Sequence, residues 1–230
     1  MAVLLEIVAT SLESALAAEH GGADRLEICI NLAQGGISPP PELVQSVRHN
    51  VRIPIHVMIR PRTGDFCYSD AEITRMKNEI ETWKRVGAEG IVGGVLHADK
   101  TVDVKLTKEL VDLAKPLQMT FHRAFDETPD PFKGLEDIIA TGATRILTSG
   151  QLSSAFEGRM VIRELVRRAG NRTRILAGAG INRGNVQALI RRTEVGEVHA
   201  ASAVMDRNGV VDERLVRSLR EILDSTTGEA

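Results

Sequence analysis

The chain has 230 residues, 43% hydrophobic and 26% charged, with 29 Lys and Arg against 31 Asp and Glu for a formal charge of -2. This size and balance describe one generous globular domain and exclude a disordered, collagenous or coiled-coil chain. No global positive field is present, so nucleic acid is not an expected partner.

Short β-like runs alternate with longer helix-period stretches from one end to the other. The strands are predicted as LLEIVA from Leu4, RLEICI from Arg25, IPIHVMIRP from Ile53, GIVGGVL from Gly90, QMTFHRA from Gln118, RILTSG from Arg145, RILAGAG from Arg174 and EVHAAS from Glu197. Between them, apolar residues recur on one helical face, as in Ile73, Met76, Ile80 and Trp83, or Phe132, Leu135, Ile138 and Ile139. Capping boxes at Thr10 with Glu13, Ser69 with Glu72 and Ser154 with Glu157, and Asp130 ahead of Pro131, mark helix starts. Gly22, Gly87, Gly142 and Gly196 each lead into a strand at intervals of 65, 55 and 54 residues. Such spacing suits a pair of βα units used four times, so the chain is predicted as α/β, a single-domain TIM (β/α)8 barrel over residues 1–224 with a flexible tail at 225–230.

No run of about 18 consecutive apolar residues suggests a membrane helix. Glu6 and Glu13 interrupt the faint leader-like pattern of the N-terminus, so a cytoplasmic protein without a membrane partner is expected. Cys29 and Cys67 are too few for a disulfide framework and lack the CxxC spacing of a zinc or redox motif.

In a closed parallel barrel one parity of each strand packs under the helices and the other faces the lumen. In the third strand Ile55, Val57 and Ile59 would lie outside, leaving His56, Met58 and Arg60 inside, with Arg62 near the mouth. The same alternation leaves Glu6 inside the first strand, Glu27 and Cys29 inside the second, and Thr120 and His122 inside the fifth. Unpaired buried charge is costly, so Glu6, Glu27 and Arg60 are expected to pair. One reading is a structural ion-pair plug, with His56 a satisfied core histidine. The other is an active site at the strand ends, with Glu27 or His122 as general acid and base, and with His199 and Glu6 nearby.

The loops RPRTGDFCYS and HRAFDET add Arg62, Asp65, Arg123 and Asp126 at the same rim. They suit either a polar or anionic small molecule, with Arg60 and Arg123 on its oxyanion, or Arg–Asp pairs that stiffen the rim. Gly178, Gly180 and Ser202 are candidates to offer backbone N–H groups to a phosphate, or else positions of close packing. Ser149 to Gln151 reads as site lining or turn chemistry. Cys29, Cys67 and Met58 are soft donors of the kind that suit Cu(I), while Met76 and Met119 read as core. No nucleotide cofactor is expected.

The blocks GADRLEIC, GGISPPPELV, MIRPRTGDFCYS, FHRAFDETPDP, RILTSGQLSSAFEG and ILAGAGIN together resemble the CutC family, over nearly the whole chain. The resemblance implies a TIM barrel, a role in copper homeostasis in the cytosol, copper linked to Cys29, and a homodimer or higher homo-oligomer. No catalytic mechanism comes with it. AGAGIN and HAAS depart from the family's fuller glycine run and HxSA pattern, which touches the Gly178, Gly180 and Ser202 rim. Two functions follow: a copper-binding homeostasis protein using Cys29, with Cys67 or Met58 as partners, and an enzyme acting on a small polar or anionic, sugar-like or phosphorylated substrate.

Overall fold

Eight parallel strands form where the alternation predicts them, seven of them opening at the predicted residue, and the last pairs with the first. They are β1 Leu4–Ala9, β2 Arg25–Ile28, β3 Ile55–Met58, β4 Gly90–Gly93, β5 Gln118–Phe121, β6 Arg145–Thr148, β7 Arg174–Ala177 and β8 Glu197–Ala200. The computed structural model describes residues 2–227 and shows one closed barrel in sequence order. β3 begins two residues later than the apolar run because Pro54 has no N–H to give a ladder.

Among the described residues, eight helices wrap the barrel: α1 Leu12–His20, α2 Pro41–Asn50, α3 Asp70–Val86, α4 Val104–Ala114, α5 Pro131–Thr141, α6 Arg159–Ala169, α7 Val186–Thr193 and α8 Glu213–Thr227. α8 therefore takes in 225–227 of the expected tail, and 228–230 lie outside the described residues. Ile73, Met76, Ile80 and Trp83 on α3 are buried, as are Leu135 and Ile138 on α5, against outward strand residues such as Ile55 and Val57.

Helix starts follow the capping logic in part. Ser69 and Glu72 form the expected box, and Asp130 accepts from the N–H groups of Phe132 and Lys133. Thr10 is not the cap of α1: Ser11 is, accepting from the N–H of Ser14. Ser154 does accept from the N–H of Glu157 at 3.2 Å, but that closes a turn ahead of α6, which starts only after Gly158. A Cβ at Gly158 would lie 1.9 Å from the carbonyl oxygen of Ser149, so this turn is pressed onto the end of β6 and only glycine fits.

The lower lumen is filled by ions. Arg25 donates to Glu6 and, at 2.8 Å, to Glu197. Arg145 donates to Glu197 at 2.5 and 3.3 Å and to the Gln118 side chain at 3.2 Å. Arg174 reaches Glu197 from the barrel's outer edge at 3.4 Å. Arg25, Arg145, Arg174 and Glu197 are first residues of their strands, so four elements are locked together at the N-terminal end. Above and beside them, His56 lies over Gly90, where a Cβ would sit 2.5 Å from the imidazole. His56 is a core histidine as expected but not a satisfied one, since its Nδ1 has no partner.

Removing one member of a buried pair strands the charges left behind. Glu197→Gln is expected to lower stability by about 3–5 kcal/mol in urea unfolding, whereas the exposed pair of Lys108 with Asp112 should be worth under ~1 kcal/mol in the same assay.

Candidate active site at the C-terminal mouth of the barrel

Because inward residues one step beyond the ion layer stand two positions further along their strands, β2 presents Glu27 and β8 presents His199 above Arg25 and Glu197. Loops after β3, β5, β6 and β7 close over them and leave a cavity of about 520 Å³ at the strand ends. Glu27, Arg60, His122, Arg123, Asp126 and His199 all line it, with Phe66 and Met58. The predicted convergence of Glu27, Arg60 and His122 on one opening is thus observed.

The predicted pairing of Glu6, Glu27 and Arg60 is not. Glu6 is taken by Arg25 and by His199, whose Nδ1 donates to Oε1 at 2.7 Å. Burial opposes ionisation of Glu6, but Arg25 and His199 outweigh it and hold the carboxyl far below its usual range. Glu27 gains no such partner. It is 3% exposed and its Oε2 accepts no hydrogen bond. Burial pushes its pKa up to about 7, with Glu6 adding to the rise and His199 and Arg25 opposing it. For His199 burial disfavours the cation, yet Glu27 and Glu6 together raise its pKa. One possible ligand atom each from Glu6, Glu27 and His199 lies within 4.8 Å of the others, a compact cluster of titratable groups.

Across the cavity, Arg60 is 5% exposed and pairs with no carboxylate among the described residues. Its Nη1 donates to the carbonyls of Gln34 and Gly36 and its Nη2 to that of Gly64, at 2.8 to 3.2 Å. Its Nε has no partner. The higher position of Arg60, two residues past the end of β3, explains the missed pairing: Glu27 stands level with His56, four residues earlier. His122 follows β5 and accepts at Nδ1 from the N–H of Ala124, which puts its ring proton on Nε2, itself unpartnered. Burial, reinforced by Arg60, pushes its pKa down to about 3, so the ring is neutral. With Nδ1 occupied, His122 presents an N–H rather than a free lone pair.

Asp126 has its oxygens fully engaged. Its two oxygens accept from the hydroxyls of Thr148 and Ser149, the N–H groups of Ser149 and Gln151, and the guanidinium of Arg123 at 2.8 Å. It staples the β5 and β6 loops. Arg123, with its side chain 46% exposed, also donates to the Ser149 hydroxyl. Arg62 pairs with Asp65 and Glu72 away from the cavity, the rim-stiffening alternative. Gln151 donates to Thr128 and so does turn work while lining the cavity.

The soft donors assemble only in part. Cys29 and Met58 adjoin beneath Gly36, in a small apolar cluster with Val8 and Val92. Burial, with Glu27 nearby, pushes the Cys29 thiol far above its ordinary range, away from the thiolate a metal needs. Cys67 is exposed in the loop after β3 and does not line the cavity. Cys29 with Met58 is one of the two expected donor pairs, but a thiol buried and held protonated does not favour Cu(I) there. At the opposite rim Gly180 and Ser202 line the cavity, whereas Gly178 serves packing, since a Cβ there would lie 2.5 Å from Leu147.

Residue-by-residue reading missed Arg25, Arg145 and Glu197, which dictate the charge state above them. Each stands two residues before an inward-facing residue, Glu27, Leu147 and His199, so the same parity extended by one step would have found them.

A carboxyl whose folded pKa is raised holds a proton that the unfolded chain has already released, so its stabilising share is complete below the ordinary value near 4.5 and is lost as pH rises through about 7. Glu27→Gln cannot titrate. It is expected to gain on the wild type by roughly 1–3 kcal/mol between pH 5 and pH 8 in urea unfolding, and a constant difference would contradict this.

Comparison with known proteins agrees with this architecture. The model of the CutC family matches residues 3–204. A family protein CutC of Histophilus somni strain 2336 is 45% identical over 198 residues, covering 86% of this chain and 82% of its own length. The human copper homeostasis protein cutC homolog is 44% identical over 199 residues, covering 86% and 73%. Among solved structures, CutC from Streptococcus agalactiae superposes with a TM-score of 0.81 at 31% identity, covering 86% of this chain and 97% of that one. Thiamine phosphate pyrophosphorylase from Pyrococcus furiosus, at 16% identity, a TM-score of 0.68 and coverage of 97% and 96%, shares the barrel fold alone. By the extent of the family match and the identity to these relatives, the chain belongs to the CutC family.

Proposed function

We propose that this chain is an enzyme that moves protons on a small polar molecule held at the barrel mouth. The observation that carries the reading is Glu27: a buried carboxyl with a free oxygen, poised near neutrality, in the wall of a cavity large enough for a metabolite. A structural plug would leave no such group, because its charges would be paired as Arg25, Arg145 and Glu197 are.

Glu27 in its carboxylate form is the base that takes a proton from the bound molecule. His199, oriented by Glu6 through Nδ1, carries the second proton and returns it to a neighbouring atom from its other nitrogen. The neutral His122, with its proton on Nε2, is a fixed donor for an oxygen of the bound molecule and does not itself ionise. Cytoplasmic location is consistent with this chemistry, and among the described residues no helix is long and apolar enough to cross a membrane. The relatives' link to copper homeostasis does not require this chain to hold the metal at Cys29, and the donor set there does not favour it.

Pooled small metabolites incubated with the protein in D2O, followed by proton NMR, test the reading whatever the product is. A compound that loses one C–H signal with the wild type is expected to lose it about 100- to 10,000-fold more slowly with Glu27→Gln. Exchange that survives Glu27→Gln unchanged, or a broad library with no exchange at all, would overturn it.

A further inference from the structure

We propose that the molecule taken at the barrel mouth is an anion, bearing a carboxylate or phosphate group that seats on Arg60 and His122. This deepens the acid–base reading and rests on it only for where the reacting part of the ligand lies.

The inference starts from a contrast within one lumen. Arg25 and Arg145 are as buried as Arg60, and each is neutralised by a carboxylate, Glu6 or Glu197. Arg60 alone of these three meets only neutral groups, the carbonyls of Gln34, Gly36 and Gly64 and the nearby Tyr68 hydroxyl. Those bonds aim the guanidinium and hold it rigid, but they do not cancel its charge. A buried cation without a counter-charge is costly, and a ligand anion is the missing partner.

The surroundings agree. The guanidinium carbon of Arg60 stands 4.8 Å from the centre of the Phe66 ring, and the His122 ring lies 4.8 Å from the same ring at 60°. Arg60, Phe66 and His122 thus form one wall of the cavity. Arg60 Nε and His122 Nε2 are both buried donors without acceptors. Two unfilled donors and one uncompensated positive charge on one wall call for oxygens carrying negative charge. The acidic residues of the same cavity are not partners of Arg60: Asp126 is saturated by its loop, Glu127 pairs with Lys100 at 3.2 Å, and Glu27 stands level with His56, four residues below Arg60. This wall is built from the β3 and β5 loops, on the far side from the Gly180 and Ser202 rim, where phosphate binding and close packing were the two alternatives.

Isothermal titration of the full chain at low ionic strength with inorganic phosphate, malonate and the neutral malonamide tests the site. Saturable binding of phosphate or malonate, with none of malonamide, is expected, and which anion binds more tightly tells phosphate from carboxylate. Arg60→Met should weaken that binding about tenfold or more, and His122→Phe by a smaller factor. Melting curves establish that each variant is folded. Should Arg60→Met not fold, Arg60→Lys serves in its place, because it keeps the charge and loses the fork, and it should still bind several-fold more weakly. Failure of both anions to bind the wild type, or wild-type affinity in a folded Arg60 variant, overturns the proposal. Glu27→Gln should retain the anion, so binding without any proton exchange in D2O would remove the acid–base reading and leave this site standing.

Discussion

Closing eight strands into a ring forces every inward-facing side chain into a space with little water, and in this chain many of those side chains are charged. The lattice of Arg25, Arg145 and Glu197 is the solution at the lower end, and everything above depends on it. Arg25 also holds Glu6 ionised, Glu6 in turn orients His199, and with those partners committed Glu27 is left without one. The poised carboxyl is thus a consequence of how the neighbouring charges have been spent. A change at Glu197 would reach Glu27 through two intermediaries.

The rim repeats this division between closed and open groups. Asp126 has all its acceptor capacity used in tying two loops together, and Arg62 is absorbed by Asp65 and Glu72. Against that background, Arg60, His122 and Glu27 keep buried polar atoms with no partner, and all three line the same cavity. Unsatisfied polar atoms are rare in a folded interior and cluster where a ligand completes the structure. The apolar cluster of Cys29, Met58, Val8 and Val92 separates out as packing within the lumen.

Much of the fold was legible because its signals are local. Strand starts, the outward parity of Ile55 and Val57, the face formed by Ile73, Met76, Ile80 and Trp83, and the paired-unit glycines at 87 and 142 depend on neighbours a few residues away. Cap positions failed where tertiary packing decided them, as at Gly158 against Ser149. In the site, parity identified Glu27, Arg60 and His122 as inward but was blind to height in the barrel. Which cation meets which carboxylate follows from the stagger between strands far apart in sequence, such as Arg25 and Glu197, 172 residues apart. The protonation state of His122 was illegible for a related reason: its neutrality comes from burial beside Arg60, and no residue type reveals that.

The claim on which the functional account stands is that Glu27 exchanges its proton near neutral pH. Labelling glutamate side-chain carboxyls with 13C and following them by NMR across pH, with Glu27→Gln to assign the resonance, measures that directly. A midpoint near 7 is the predicted result, and a midpoint in the ordinary carboxylate range would contradict the account.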